Sequence, residues 1–426
     1  MLEFKDDDVD EICESCISLV DEYLSLHPSS ILSETFNDDI IDDITALFVA
    51  TLFESITESE FEELRDMVVM CVDAVFEMQF EIITPRSEPS FLKMIHNDDD
   101  DDDDDDDQHH VREIDEKLSL LRSIPLPAQR TPEWYKMRRN LITASNASKI
   151  FNSQAQQNQL IVEKCRTDEA ANEAANEAAN HNFKTKNINM PLEWGKKYEA
   201  VSILYYEFTR KTNIEEFGCL PHPTHTFLGA SPDGINVDRH NKVLYGRMLE
   251  VKNIVNRDIT GIPKEEYWVQ MQLQMEVCDL NETDFLETRF VEYDNEDMFL
   301  MDHDHDNHQE QDWKTFDAKF KGILMYFVHA ETGTAHFVPK PLTMRLKTFF
   351  RSEEREVIES LQQEYIFVRN IYWKLDEVSC VLVRRNKRWF QEHIARMSDF
   401  WKLILHERES GEFIHRLPKK RKLVEN

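Results

Sequence analysis

Ser231-Pro232-Asp233-Gly234, followed after a short gap by Glu250-Val251-Lys252, is the stretch on which the reading of this chain turns. On a β-strand successive side chains alternate faces, so Glu250 and Lys252 share one face while Val251 points the other way, into a core. His240, Asn241 and Lys242 separate residues 234–238 from residues 243–252 and support a turn. A hairpin there brings Asp233 alongside Glu250. Two carboxylates suit a hard divalent cation, Mg²⁺ or Mn²⁺. Lys252 would then stand beside a metal-bound water, able to orient it and to balance negative charge. Each piece is common by itself. Glu-x-Lys is short, and Asp-Gly is often only a hairpin turn.

Three further stretches fall in order around it. They are Trp134-Tyr135-Lys136-Met137-Arg138 running on to Ile142-Thr143-Ala144-Ser145, then Glu193-Trp194-Gly195-Lys196-Lys197-Tyr198-Glu199, and Tyr267-Trp268-Val269-Gln270-Met271-Gln272-Leu273-Gln274. Together with the central motif they resemble the lambda exonuclease family, the YqaJ-type viral recombinases of the PD-(D/E)XK nuclease superfamily, and most of all members from large DNA viruses. The resemblance is strong over residues 131–290 and continues more weakly to about residue 405. It implies that Asp233 and Glu250 bind metal, with the Val251 carbonyl as a further ligand, and that Lys252 assists the water. It implies that Glu199 and Gln270 approach the same site from helices. It also implies that Arg138, Ser145 and Ser231 form a pocket for the 5′-phosphate of the digested strand, using bonds that guanidinium and hydroxyl groups make to phosphate. One departure is Asn140, where the family often has glycine.

The implied activity is a metal-dependent deoxyribonuclease, a 5′-to-3′ exonuclease acting on duplex DNA ends with Mg²⁺, or Mn²⁺, as cofactor. An endonuclease that degrades foreign DNA and a non-catalytic DNA-end-binding recombination scaffold are the alternatives. The implied partners are double-stranded DNA ends, a single-strand annealing protein and further copies of the chain. Each residue also has a plainer reading. Glu199 would be a surface residue of a long helix, Gln270 and Gln274 one polar stripe of an amphipathic helix, Trp134 and Trp194 core residues, and Ser145 the cap of a helix starting at Asn146.

Charge is unevenly spread. The 426 residues carry a net charge of −34, unlike the basic footprint usual for DNA binding. Residues 1–110 hold 34 acidic and 4 basic residues, leaving 49 acidic and 45 basic in the rest. The nuclease-like part is therefore near neutral and has room for a local basic channel. No apolar run is long enough to span a bilayer, and the acidic N-terminus does not read as a signal peptide. Seven scattered cysteines point to a reduced intracellular setting. Cys13 and Cys16 form a lone C-x-x-C, read as two buried helix positions.

The expected organisation is an acidic helical unit over residues 1–96, with helices near 10–26, 38–56 and 59–80. A disordered poly-aspartate linker over 97–110 follows, including the unbroken run 98–107, then the nuclease domain over 111–415 and a basic tail over 416–426. In the core, a helix over 193–211 leads to strands near 215–220, 227–230, 235–237 and 248–252. A helix over 264–277 and a strand over 285–292 come next, with another strand at 322–328 or 334–339. Long helices over 342–373 and 388–406 close the chain. This order predicts an α/β fold, a mixed central sheet flanked by helices. The alanine-rich repeat at 170–180 reads as an insertion, and the Asp/His tract at 302–308 as a solvated loop. Pro418-Lys419-Lys420-Arg421-Lys422 matches a compact nuclear localisation signal, suggesting the nucleus, with a viral replication compartment or the virion as alternatives.

Overall fold

The computed structural model describes residues 15, 16, 18–20, 23, 36–52, 57–79, 88, 89, 104–129, 131–166, 191–302, 313–342 and 353–417. The helices are α1 (Phe36–Leu52), α2 (Glu58–Gln79), α3 (Asp104–Ser123), α4 (Pro132–Arg139), α5 (Ala144–Ala147), α6 (Gln154–Cys165), α7 (Pro191–Arg210), α8 (Glu265–Cys278), α9 (Glu296–Met301), α10 (Glu354–Leu361) and α11 (Lys387–Ser410). The strands are β1 (Glu88–Pro89), β2 (Ile142–Thr143), β3 (Ile214–Glu215), β4 (Leu220–Pro221), β5 (Leu228–Ala230), β6 (Gly234–Asn236), β7 (Met248–Asn253), β8 (Glu282–Glu292), β9 (Lys321–His329), β10 (Ala335–Pro339) and β11 (Tyr365–Arg384).

The main sheet runs β10-β9-β11-β8-β7-β6-β3, with β1 paired to β11, and β2-β5-β4 form a second, small sheet. β7 and β8 are parallel while their neighbours are antiparallel, so the sheet is mixed, as expected. The two faces of β7 explain the fold around it. Leu249 and Val251 pack with Tyr206 of α7 and Leu286 of β8 on one face. Met248 and Phe285 join the core that contains Trp268, Met271 and Met275 of α8 on the other. Period-two alternation thus places a helix against each face.

The hairpin from β6 to β7 matches the turn read in the sequence. Asn236 and Gly246 close it through a backbone bond of 2.9 Å, and Gly246 sits at φ +80°, where a side chain is disfavoured. Gly234 opens β6 rather than forming a turn. A Cβ there would lie 2.1 Å from Ile214 Cγ2, so the close approach of β3 requires glycine.

Four expectations change. Residues 322–328 and 334–339 are both strands, paired with each other. Of the helix expected over 342–373, residues 343–352 lie outside the described residues; the remainder is α10 followed by β11, whose half from Tyr365 to Lys374 pairs with β9 and whose half from Trp373 to Arg384 pairs with β8. Its β-branched and aromatic residues suit a pleated surface, and Ile371, Trp373 and Leu375 alternate into the core. Glu88 and Pro89, assigned to the N-terminal unit, pair with Leu382 and Val381 of β11. Finally, α3 begins at Asp104, inside the run expected to be disordered. Acidic residues in a first turn favour the positive end of the helix dipole. α3 is tied to the core by Arg122 to Glu215, 2.6 Å, and by Asp115, which accepts from Arg239 and Tyr245.

α1 and α2 share their own core, including Ile40, Ile44, Leu64 and Val68. Cys16 is buried there, whereas Cys13, residues 97–103, the repeat at 170–180, most of the Asp/His tract and residues 418–426 lie outside the described residues. Among the described residues no helix is long and apolar enough to cross a membrane.

Candidate active site

β7 delivers Glu250 and Lys252 to the same side, and the pairing of Gly234 with Leu249 sets Asp233 beside them. The backbone N–H of Val251 donates to Asp233 Oδ2 at 2.7 Å. Glu250 is fully buried, and its carboxylate is held by three side chains. Lys252 Nζ and Gln270 Nε2 donate to Oε1, the latter at 2.7 Å, and Gln274 Nε2 donates to Oε2 at 2.7 Å. Gln270 and Gln274 lie one turn apart on α8, so one helical face grips one carboxylate. Tyr267, on the same helix, puts its ring 5.0 Å from Lys252 Nζ, a cation–π contact.

The residues gather around a cleft of about 760 Å³ at the C-terminal end of β7. Its walls include Arg138, Ser145, Glu199, Ser231, Asp233, Glu250, Val251, Lys252 and Gln270. Every site residue expected from the sequence is therefore in one cavity, although those residues come from five separate segments of the chain.

The cleft is electrostatically unbalanced. Burial, then the nearby Glu250 and Glu199 carboxylates, push the Asp233 carboxyl well above its ordinary range, against the opposing pull of Lys252 and the Val251 N–H. Burial disfavours the Lys252 charge, but Glu250 and Asp233 outweigh it and raise the ammonium above its ordinary range. Crowded carboxylates of this kind fit a hard cation by donor chemistry: Asp233, Glu250 and the Val251 carbonyl offer oxygen only. Among the described residues no group of three or more His, Cys, Asp or Glu side chains forms a metal cage. These groups would thus supply part of a coordination shell.

At the phosphate-type end, the Arg138 guanidinium lies 4.6 Å from the Trp134 ring centroid and donates to Cys219 Sγ at 3.9 Å. The plainer reading of Trp134 as a core residue is half met: it is partly buried and forms the bed for Arg138. Ser145 is not a cap. α5 starts at Ala144 with Thr143 at the cap position, and Ser145 Oγ lies 3.3 Å from Thr143 Oγ1.

Sequence reasoning treated Gln274 only as a stripe residue and passed over Asn253. Asn253 Nδ2 donates to Gly195 O at 2.8 Å, and its Oδ1 accepts from Ser202 and Thr288 at 2.7 Å each. It locks β7 to the N-terminal part of α7, one turn before Glu199. The signals were present: Gln274 follows Gln270 by four, and Asn253 continues the strand.

A family model described as the YqaJ-like viral recombinase domain matches residues 133–281, which include every one of these site residues. An uncharacterised protein of Acanthamoeba polyphaga mimivirus is 25% identical over 336 residues, 73% of this chain. The chain spans 58% of that relative's length. Among solved structures, an alkaline exonuclease from Laribacter hongkongensis is similar at 18% identity and a TM-score of 0.36, over 67% of this chain and 98% of that one. Its complex with dAMP gives the same values.

Proposed function

We propose, from the match of residues 133–281 to the YqaJ-like viral recombinase domain, that the chain is a metal-dependent deoxyribonuclease that digests one strand of duplex DNA from its 5′ end. The observation that carries this reading is the convergence of Asp233, Glu250 and Lys252 with Arg138 and Ser145 in one cleft.

In this reading Asp233, Glu250 and the Val251 carbonyl hold Mg²⁺ or Mn²⁺. Such an ion, when bound, stabilises charge on a phosphoryl oxygen and acidifies a coordinated water. The chain's residues do the rest. Gln270 and Gln274 fix Glu250 so that its oxygens need no reorganisation. Lys252, held charged by Glu250, sits where negative charge grows during phosphodiester cleavage. Arg138 and the Ser145 and Ser231 hydroxyls receive a terminal 5′-phosphate, which places the first phosphodiester at the carboxylates. Duplex ends are the substrate, and the 3′ overhang left behind suits a strand-annealing partner.

The test is digestion of linear duplexes, with and without a 5′-phosphate, beside closed circular DNA. Mg²⁺-dependent loss of the 5′-labelled strand from linear DNA, with circles intact, is expected. Asp233→Asn should lower the rate by at least about 10³-fold. It should also lose the thermal stabilisation that Mg²⁺ gives the wild type by binding the folded state. Cutting of circles would favour an endonuclease. Normal cleavage by Asp233→Asn would remove the site.

A further inference from the structure

The carbonyl end of α4, whose last turn carries Arg138, is held by two cations from distant parts of the chain. Buried Lys164, on α6, donates from Nζ to Arg138 O at 3.0 Å. Arg408, on α11, spreads its guanidinium over three acceptors. Its NH2 donates to Arg139 O at 3.1 Å and to Lys164 O at 2.7 Å, and its NH1 donates to Asn140 Oδ1 at 2.9 Å. The last carbonyls of a helix lack intrahelical partners and carry its negative dipole end, so cations there both cap and stabilise it. A second arginine of α11, Arg396, donates to Ile150 O at 3.0 Å. One helix therefore straps residues 139–150 at both ends; Ser145 lies between the straps and Arg138 directly before the first.

This arrangement crowds positive charge. Burial first, then Arg138, depress Lys164 to about 8, although Glu163 opposes the shift. Burial and Arg408 lower Arg139. Arg138 has no carboxylate partner among the described residues. Lys164 has Glu163 3.7 Å away, whereas the Arg138 guanidinium, bedded on Trp134, is left to meet an incoming anion.

We propose that Arg408 is a positioning residue for end selection: by capping α4 it fixes the turn from which Arg138 reaches a terminal phosphate. Asn140 takes part through its side-chain oxygen, which the glycine common at this position in the family could not supply. The inference rests on the proposed phosphate pocket. Lysine cannot replace the fork, because one ammonium on a flexible stem does not span three acceptors in fixed geometry.

The test compares 5′-phosphorylated and 5′-hydroxyl duplexes in the full-length protein, by Kd without divalent cation and by KM and kcat with Mg²⁺. Arg408→Gln should weaken the preference for phosphorylated ends about tenfold while turnover of hydroxyl ends stays unchanged. Arg408→Lys should fall between. In an Arg138→Ala background, Arg408→Gln should have no further effect on the preference, since residues acting through one contact are not additive. A selective wild type and an equally selective, folded Arg408→Gln would overturn the role of Arg408 alone. Equal losses on both ends, with Arg408→Lys behaving the same way, would show a purely structural helix contact and overturn it too. A wild type blind to the phosphate would remove the pocket itself and the inference with it, whether or not the metal site cuts DNA.

Discussion

At the scale of single residues, the site is a carboxylate held in place by its neighbours. Gln274 is buried and contributes a bond of 2.7 Å to Glu250. With Glu250 as the proposed metal ligand, removing such an outer partner costs about 10–100-fold in activity or metal affinity. Gln274→Ala should therefore lower cleavage by that factor, with an unchanged unfolding transition; a wild-type rate would show that Gln270 and Lys252 hold Glu250 alone. Lys164 gives a pH signature. In the fold it titrates near 8 rather than at the ordinary 10.5, so the native state releases its proton first as pH rises. The destabilisation from its buried charge is complete below about pH 8 and is relieved between 8 and 10.5. Wild type should gain stability relative to Lys164→Met across that window in denaturant titrations at several pH values. Parallel curves would mean that Lys164 is not a buried cation. The meeting of Asp233, Glu250 and Lys252 was legible because strand alternation leaves a two-residue spacing at 250 and 252 and the turn at 240–242 implies a hairpin that returns to Asp233. Arg408 was not legible, since its contact with Asn140 joins residues 268 positions apart and no local pattern records it.

Among the elements, β11 departs furthest from the sequence reading. Apolar residues in residues 342–373 recur often enough to suit a helix, and α10 does begin there with acidic residues in its first turn. What makes residues 365–384 a strand is their β-branched and aromatic content together with a place between β8 and β9, which apolar periodicity alone does not show. That place is tight. A Cβ on Gly322 of β9 would lie 2.6 Å from Trp373 Cζ2. Strand propensity predicts that Gly322→Val stabilises the sheet, while packing predicts a loss of about 1–3 kcal/mol from forced displacement of a fully buried tryptophan. We expect the loss, seen as a lower denaturation midpoint with unchanged slope. A rise would mean that Trp373 moves freely.

For the whole molecule, the dominant feature is the acidity of residues 1–110, a net −30 against −4 for the remainder. Such a field opposes DNA at distances that salt shortens. Replacing the six aspartates at 98–103 with serine should tighten DNA binding severalfold at low salt, and the difference should vanish near 1 M salt, where the Debye length is about 3 Å. An equal gain at all salt concentrations would point to a direct contact of the run instead. The sequence divides the charge correctly, but it does not reveal that α3 carries the end of this run onto the body of the protein through Arg122, Asp115 and Ile114.

The position of β11 also bears on how the protein is made. In the sheet it lies between β8 and β9, yet it is the last of the three to leave the ribosome. Until residue 384 emerges, the nascent chain presents the facing edges of β8 and β9 with nothing to pair them, a state open to association with other chains. α11, with Arg408, follows later still. Synthesis halted before β11 would therefore yield a polypeptide holding every carboxylate of the cleft but lacking the parts that complete its sheet and brace its arginine.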